Sequence, residues 1–416
     1  MDEIGRRYLH LALHLDRHFE GFVDAYFGPP EFRAEIQTGS PRSMEALADD
    51  AQQLLDTIEA DVPDAQRKGF LAKQTQAMAA VIRNLSGDQL DFVQEVELYF
   101  DITPVMVDET AFEAAHAEMD EILPGDGSLI ERLVEWREQL YLEPDKILPV
   151  FDLALRETRR RTQKLFDLPP GEDLTLHLVE DEPWAAYNWY LGDYCSRIDL
   201  NTDLPVRADS AVPLIAHEAY PGHHTEHALK EQRLYRQEGR AEHAVQLLLA
   251  PESVIAEGLA DNAQQILFDD SELAAFLRDE LYPLAGLAEL DVEKQLRLGR
   301  AAEALRSVSG NAALILHREG RTPEEVQRYF ERYGLRTPEE ASHSMRFLLN
   351  PLFRSYVFNY AVGKALLSPL FDGPDALANF ERLLSEPFTP SQVRLWLAQS
   401  NPKQSSEGTQ SGGRSR

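Results

Sequence analysis

The sequence predicts a mainly α fold, one large helical domain with a small antiparallel sheet beside a metal-binding helix. Two observations carry this. Apolar residues recur at spacings of three and four over most of the chain, and strict alternation is confined to a window at residues 173–203. Near the N-terminus Ile4, Tyr8, Leu11, Leu15, Phe19 and Phe22 keep the helical period up to Gly28-Pro29-Pro30, which stops it. Helical runs follow at roughly 43–60, 68–100, 109–122, 127–140 and 146–166, separated by Pro or Gly. In the window, Asp173 to Glu180 alternates as a half-buried strand should, and Tyr187 to Asn201 is rich in aromatic and β-branched residues around a Gly-Asp turn. Helices return from Ser210. Thr322-Pro323 and Thr337-Pro338, each with Glu three residues after the Thr, are capping boxes with Pro at the first helical position. Residues 1–400 read as a single domain, with the metal-site helices at 210–267. Asn401 to Arg416 holds no apolar residue and reads as a disordered tail.

Composition excludes several function classes. The chain has 416 residues, 43 % hydrophobic and 27 % charged, with a net charge of −30. Such an excess of acid repels phosphate backbones and anionic headgroups, which argues against nucleic-acid and membrane partners. A single cysteine, Cys195, rules out an intramolecular disulfide and a Cys-rich zinc finger. No apolar stretch reads as a signal peptide or a spanning helix, so a cytoplasmic location is expected.

The chemistry concentrates around residue 220. His217, His223, His224 and His227 stand close together in Ala216-His-Glu-Ala-Tyr-Pro-Gly-His-His-Thr-Glu-His227. Zinc hydrolases use His-Glu-x-x-His because residues four apart share a helix face, with the Glu beside the water to be activated. Here Pro221 stands where the second ligand would fall. If Pro221-Gly222 loops out of the helix, His223 takes that place. If the helix stays straight, His224 lies over His217, about 10.5 Å along the axis, a long reach for one ion. The first geometry is favoured and the second stays open. Glu257 supplies the third ligand. Asp261, one turn later, is placed to hold the free nitrogen of a ligating histidine.

His-Glu-Ala-Tyr-Pro-Gly-His-His, preceded by Asn201-Thr-Asp-Leu-Pro205 and followed by Glu257-Gly258, resembles the bacterial family called domain of unknown function 885, grouped with the gluzincin metallopeptidases. The resemblance spans roughly residues 145–370. It implies one zinc per chain held by His217, one or both of His223 and His224, and Glu257. Glu218 would then be the general base for hydrolysis of a peptide substrate. It also includes a tyrosine and a glycine within Arg354 to Lys364. There Tyr356 and Tyr360 share a helix face, and Tyr360 is the candidate oxyanion donor. In gluzincins an edge strand before the zinc helix pairs with substrate, and Tyr194 to Asn201 is the segment in that position.

Two other readings compete. A di-iron carboxylate protein needs two Glu-x-x-His pairs in a bundle, and Glu113/His116 and Glu340/His343 have that spacing. A non-catalytic protein with a closed zinc site needs a fourth ligand, for which His227 is the candidate. A serine-hydrolase elbow, Gly-x-Ser-x-Gly, is absent from the sequence.

Overall fold

Why α11 (Pro251–Leu267) sits at the centre is legible from its burial: Val254, Ile255, Glu257, Gly258, Leu259, Ala260, Asn262 and Ala263 are all buried, so the helix has hardly any solvent face. The computed structural model describes residues 2–88 and 90–400, so the expected tail at 401–416 lies outside the described residues. The N-terminal portion is helical: α1 (Glu3–Asp16), α2 (Pro30–Thr38), α3 (Met44–Asp61), α4 (Ala65–Leu85), α5 (Phe92–Phe100), α6 (Glu109–Ile122), α7 (Leu129–Glu138) and α8 (Pro144–Leu165). The site helices α9 (Ala211–Glu218) and α10 (His223–Lys230) come next, ahead of α11. The remainder is α12 (Asp270–Phe276), α13 (Tyr282–Ala285), α14 (Val292–Ala301), α15 (Val308–His317), α16 (Pro323–Tyr333), α17 (Pro338–Leu349), α18 (Phe358–Leu367), α19 (Ala376–Ser385) and α20 (Pro390–Ser400). The fold is thus mainly α, as predicted. The capping boxes at Thr322 and Thr337 form with Glu325 and Glu340.

Two helix expectations need correction. The N-terminal helix stops at Asp16 rather than running on to Phe22; a turn with Gly21 at φ +87° leads into strand β1 (Val23–Tyr26). Phe22 keeps the helical spacing because it is buried in the same core, not because it is helical. The run at 68–100 is broken at Ser86-Gly87, with Gly87 at φ +96°, a conformation that ends α4.

The sheet window folds into β2 (Asp173–Val179), β3 (Ala186–Gly192) and β4 (Cys195–Asn201), in the order β2-β4-β3. β3 and β4 form the expected antiparallel hairpin, with Ala186 opposite Leu200. Its two turn residues, Asp193 and Tyr194, both have positive φ, which matches the twist of a tight hairpin. β2 joins β4 in parallel, Asp173 opposite Cys195, so the sheet is mixed rather than wholly antiparallel. β4 is therefore central, and the expectation that Tyr194 to Asn201 forms the free edge is wrong; β3 and β2 are the edges. A second, two-stranded sheet pairs β1 with β5 (Val245–Leu247) and went unpredicted.

Candidate metal centre

The centre is built where α9, α10, α11 and α18 meet. α9 ends at Glu218, and residues 219–222 break the helix before α10 begins at His223. The break is possible because residue 222 is glycine: a Cβ there would stand 1.8 Å from the His217 carbonyl oxygen. The Gly222 amide instead donates to the Ala216 carbonyl (2.9 Å). Looping out Pro221-Gly222 brings His223 next to His217, with ring centroids 4.7 Å apart. α11 and α18 approach through glycines, since a Cβ on Gly258 would lie 2.5 Å from the Gly363 carbonyl oxygen. That crossing places Glu257 of α11 against Tyr356, just ahead of α18.

His217, His223 and Glu257 each offer one donor atom, all within 4.8 Å of one another. His217 Nε2 lies 3.3 Å from Glu257 Oε2, and His223 Nε2 lies 3.8 Å from Glu257 Oε1. Four-coordinate zinc with bonds near 2.0–2.2 Å separates its ligand atoms by about 3.4 Å, close to the spacing of His217 and Glu257. Glu257 Oε2 is buried without a hydrogen-bond partner, as expected of an atom kept for an ion. His217 Nδ1 faces Asp261 Oδ1 at 3.2 Å, which directs its proton away from the ion side, and Arg306 holds the other Asp261 oxygen. The donor set therefore fits a zinc-type ion.

The electrostatics agree. Burial alone would depress the His217 ring, but the Asp261 and Glu257 carboxylates outweigh it and hold its pKa well above the ordinary value. That is a site asking for positive charge. Burial pushes His223 down to about 4, with Glu257 opposing, so its ring is neutral and has a lone pair to give. Asp261 is held at about 2 against burial by His217 and Arg306. Glu218, buried at the end of α9, is pushed up to about 7 by desolvation, with His217 opposing and Glu257 adding to the rise.

His224 lies outside the group of converging donors. Its Nδ1 is bonded to Ser196 Oγ (2.8 Å) and its Nε2 to Glu172 Oε2 (3.2 Å), and α10 points it away from His217 toward the sheet. His227 does not close the site as a fourth ligand either: its Nδ1 bonds Gln246, and its ring lies parallel to that of His223 at 6.0 Å. The di-iron pairs are separately employed. His116 bonds the Tyr333 carbonyl, and Glu340 caps α17. Tyr356 donates to Glu257 Oε1 (2.6 Å), and Tyr360 lines the same cleft. Its ring stacks beside His217 with centroids 6.4 Å apart.

These groups open into a cleft walled by Phe27, Trp184, Tyr187, Phe347 and Phe353. Ala186 to Asn188 of the edge strand β3 line it as well, and Asn188 Nδ2 donates to the Glu218 carbonyl oxygen (2.6 Å). Sequence reasoning missed Asn188, Arg306 and the Asp24–Tyr187 hydrogen bond, none of which has a local pattern. It also missed Glu226 and Lys230, although their spacing from His223 puts them on its helix face.

No family model matches this chain, and no curated protein matches it significantly. Among solved structures it is similar to a candidate lipoprotein from Colwellia psychrerythraea, with a TM-score of 0.52 and 16 % identity over 89 % of this chain and 70 % of that one. A candidate lipoprotein of unknown function from Shewanella oneidensis gives a TM-score of 0.49 and 14 % identity, covering 89 % of this chain and 79 % of that one. At such identities the likeness to the Colwellia structure is one of fold. Among the described residues no helix is long and apolar enough to cross a membrane.

Proposed function

We propose that this protein is a zinc-dependent hydrolase of peptide bonds, with His217, His223 and Glu257 as the ligands of one ion. The observation that carries the reading is the convergence of three protein donors beside a buried carboxylate, Glu218, in one cleft. Three ligands rather than four are the pattern of a catalytic site, and a closed structural site would not keep a free glutamate beside it. When bound, zinc supplies a Lewis acid that polarises the scissile carbonyl and makes water acidic at neutral pH.

The chain's own residues do the rest. Glu218 accepts the proton of the attacking water and delivers it to the leaving amine, a role suited to a carboxyl with its pKa raised to about 7. Asp261 fixes the tautomer and tilt of His217. Tyr360, whose ring lies beside His217, would donate to the oxyanion as the carbonyl becomes tetrahedral. An extended peptide laid along the edge strand β3 would gain main-chain hydrogen bonds. Digestion of a peptide library with the purified protein, before and after chelation and again with zinc restored, tests the reading. Cleavage that disappears and returns is expected. A zinc-replete protein that cleaves no peptide would contradict it.

A further inference from the structure

The cleft continues past the metal centre along one face of α10. His223, Glu226, His227 and Lys230 follow one another at intervals of three, one and three residues, which is one stripe of a helix, and all four line the cleft. At the far end Lys230 Nζ donates to Glu226 Oε1 and to Glu252 Oε1, both at 2.7 Å. Two carboxylates against one ammonium leave this buried group with negative charge in excess. Glu226 Oε2, in a residue only 1 % exposed, has no hydrogen-bond partner. His243 Nε2, in a residue 5 % exposed and lining the same cleft, has none either. Buried polar atoms without partners are costly, and two on one cavity wall mark a place where a ligand's donors belong.

We infer that this end of the cleft is the subsite for a cationic amine of the substrate, seated between Glu226, Glu252 and the His243 ring; the inference rests on the peptide-hydrolase reading. An anion is disfavoured there, because the charge of Lys230 is already met by two carboxylates and an incoming carboxylate would face both. Burial, only partly offset by Lys230, raises the pKa of Glu226, and a second cation would relieve that. Distance gives the register. Glu226 and Lys230 lie about 4.5 and 10.5 Å along the helix axis from His223. An extended peptide advances about 3.3 Å per residue. The amine therefore lies one to three residues from the scissile bond, which suits release of short fragments from a free N-terminus or a basic side chain near the cut.

Binding separates this from catalysis. Zinc-loaded Glu218→Gln protein is titrated calorimetrically with tetra-alanine, N-acetyl-tetra-alanine and N-acetyl-Ala-Lys-Ala-Ala. A peptide bearing an amine is expected to bind about tenfold tighter than the acetylated lysine-free one, the scale of a charged hydrogen bond. Adding Glu226→Gln should erase the difference. Preference for tetra-alanine identifies the terminal amine, and preference for the lysine peptide the side chain. Equal binding of all three, no binding of any, or a preference that survives Glu226→Gln would overturn the inference. Should Glu226→Gln melt early, Glu252→Gln makes the same comparison. If the preference is present yet wild-type protein cleaves none of a peptide library, the hydrolase reading falls and the amine subsite stands.

Discussion

His223 and His224 are neighbours in the chain and belong to opposite kinds of polar cluster. His224 is 1 % exposed with both nitrogens bonded, to Ser196 and to Glu172. Glu172 is in turn held by Arg159 at 2.8 Å and by the Tyr220 hydroxyl. Every member of that cluster has its partner. His217 and His223 are 14 % and 13 % exposed at the cleft wall, and the carboxylate oxygen facing His217 is unsatisfied. Both clusters are a histidine–glutamate constellation, so residue types alone do not separate a structural network from a candidate metal centre. Partner accounting does. A closed network rigidifies the junction of α10 with the sheet, and an open one waits for a ligand.

The contrast can be pressed experimentally, beginning where the effect should be largest. Glu218→Gln keeps the shape of the open cluster and removes its proton acceptor. Peptide hydrolysis should fall by about 10²–10⁴-fold with zinc content unchanged, and steady-state kinetics beside metal analysis would reveal it. Asp261→Asn alters the group that orients His217, and zinc affinity measured by competition with a chelator should drop about 10–100-fold. In the closed cluster His224→Ala leaves buried Glu172 short of a donor. A loss of about 1–3 kcal/mol in unfolding free energy, with zinc retained, is expected by denaturant titration.

The smallest effect is one of pH. Burial would raise the Glu172 pKa, but hydrogen bonds from His224, Tyr220 and Arg159 outweigh it and hold it below the usual 4.5. A carboxyl with a folded pKa below its unfolded one stabilises the fold fully above the unfolded value and loses that contribution as pH falls through the folded one. The melting temperature of Glu172→Gln should thus fall less than that of the wild type between pH 5 and 3; parallel curves would show that Glu172 contributes nothing.

The open cluster was more legible in the sequence than the closed one. Clustered histidines beside a glutamate, and Glu257 followed a turn later by Asp261, are local patterns, and the freedom of Gly222 anticipated the break between α9 and α10. His224 stayed ambiguous because its partners come from 28 and 52 residues upstream, which no spacing along α10 reports. The mixed pairing of the sheet was hidden for a similar reason. β2 alternates equally well beside either neighbour, and the connection through β3 places it parallel to β4. Phe22 misled in the opposite direction, keeping a helical period across a turn because α1 and β1 bury residues in one core.

In the proposed site His223, and not His224, binds the ion together with His217 and Glu257. Zinc content per chain of purified His223→Ala and His224→Ala, each checked for folding by circular dichroism, tests it most directly. His223→Ala is expected to lose the zinc and His224→Ala to keep one ion per chain. Full occupancy in His223→Ala, with loss in a folded His224→Ala, would contradict it.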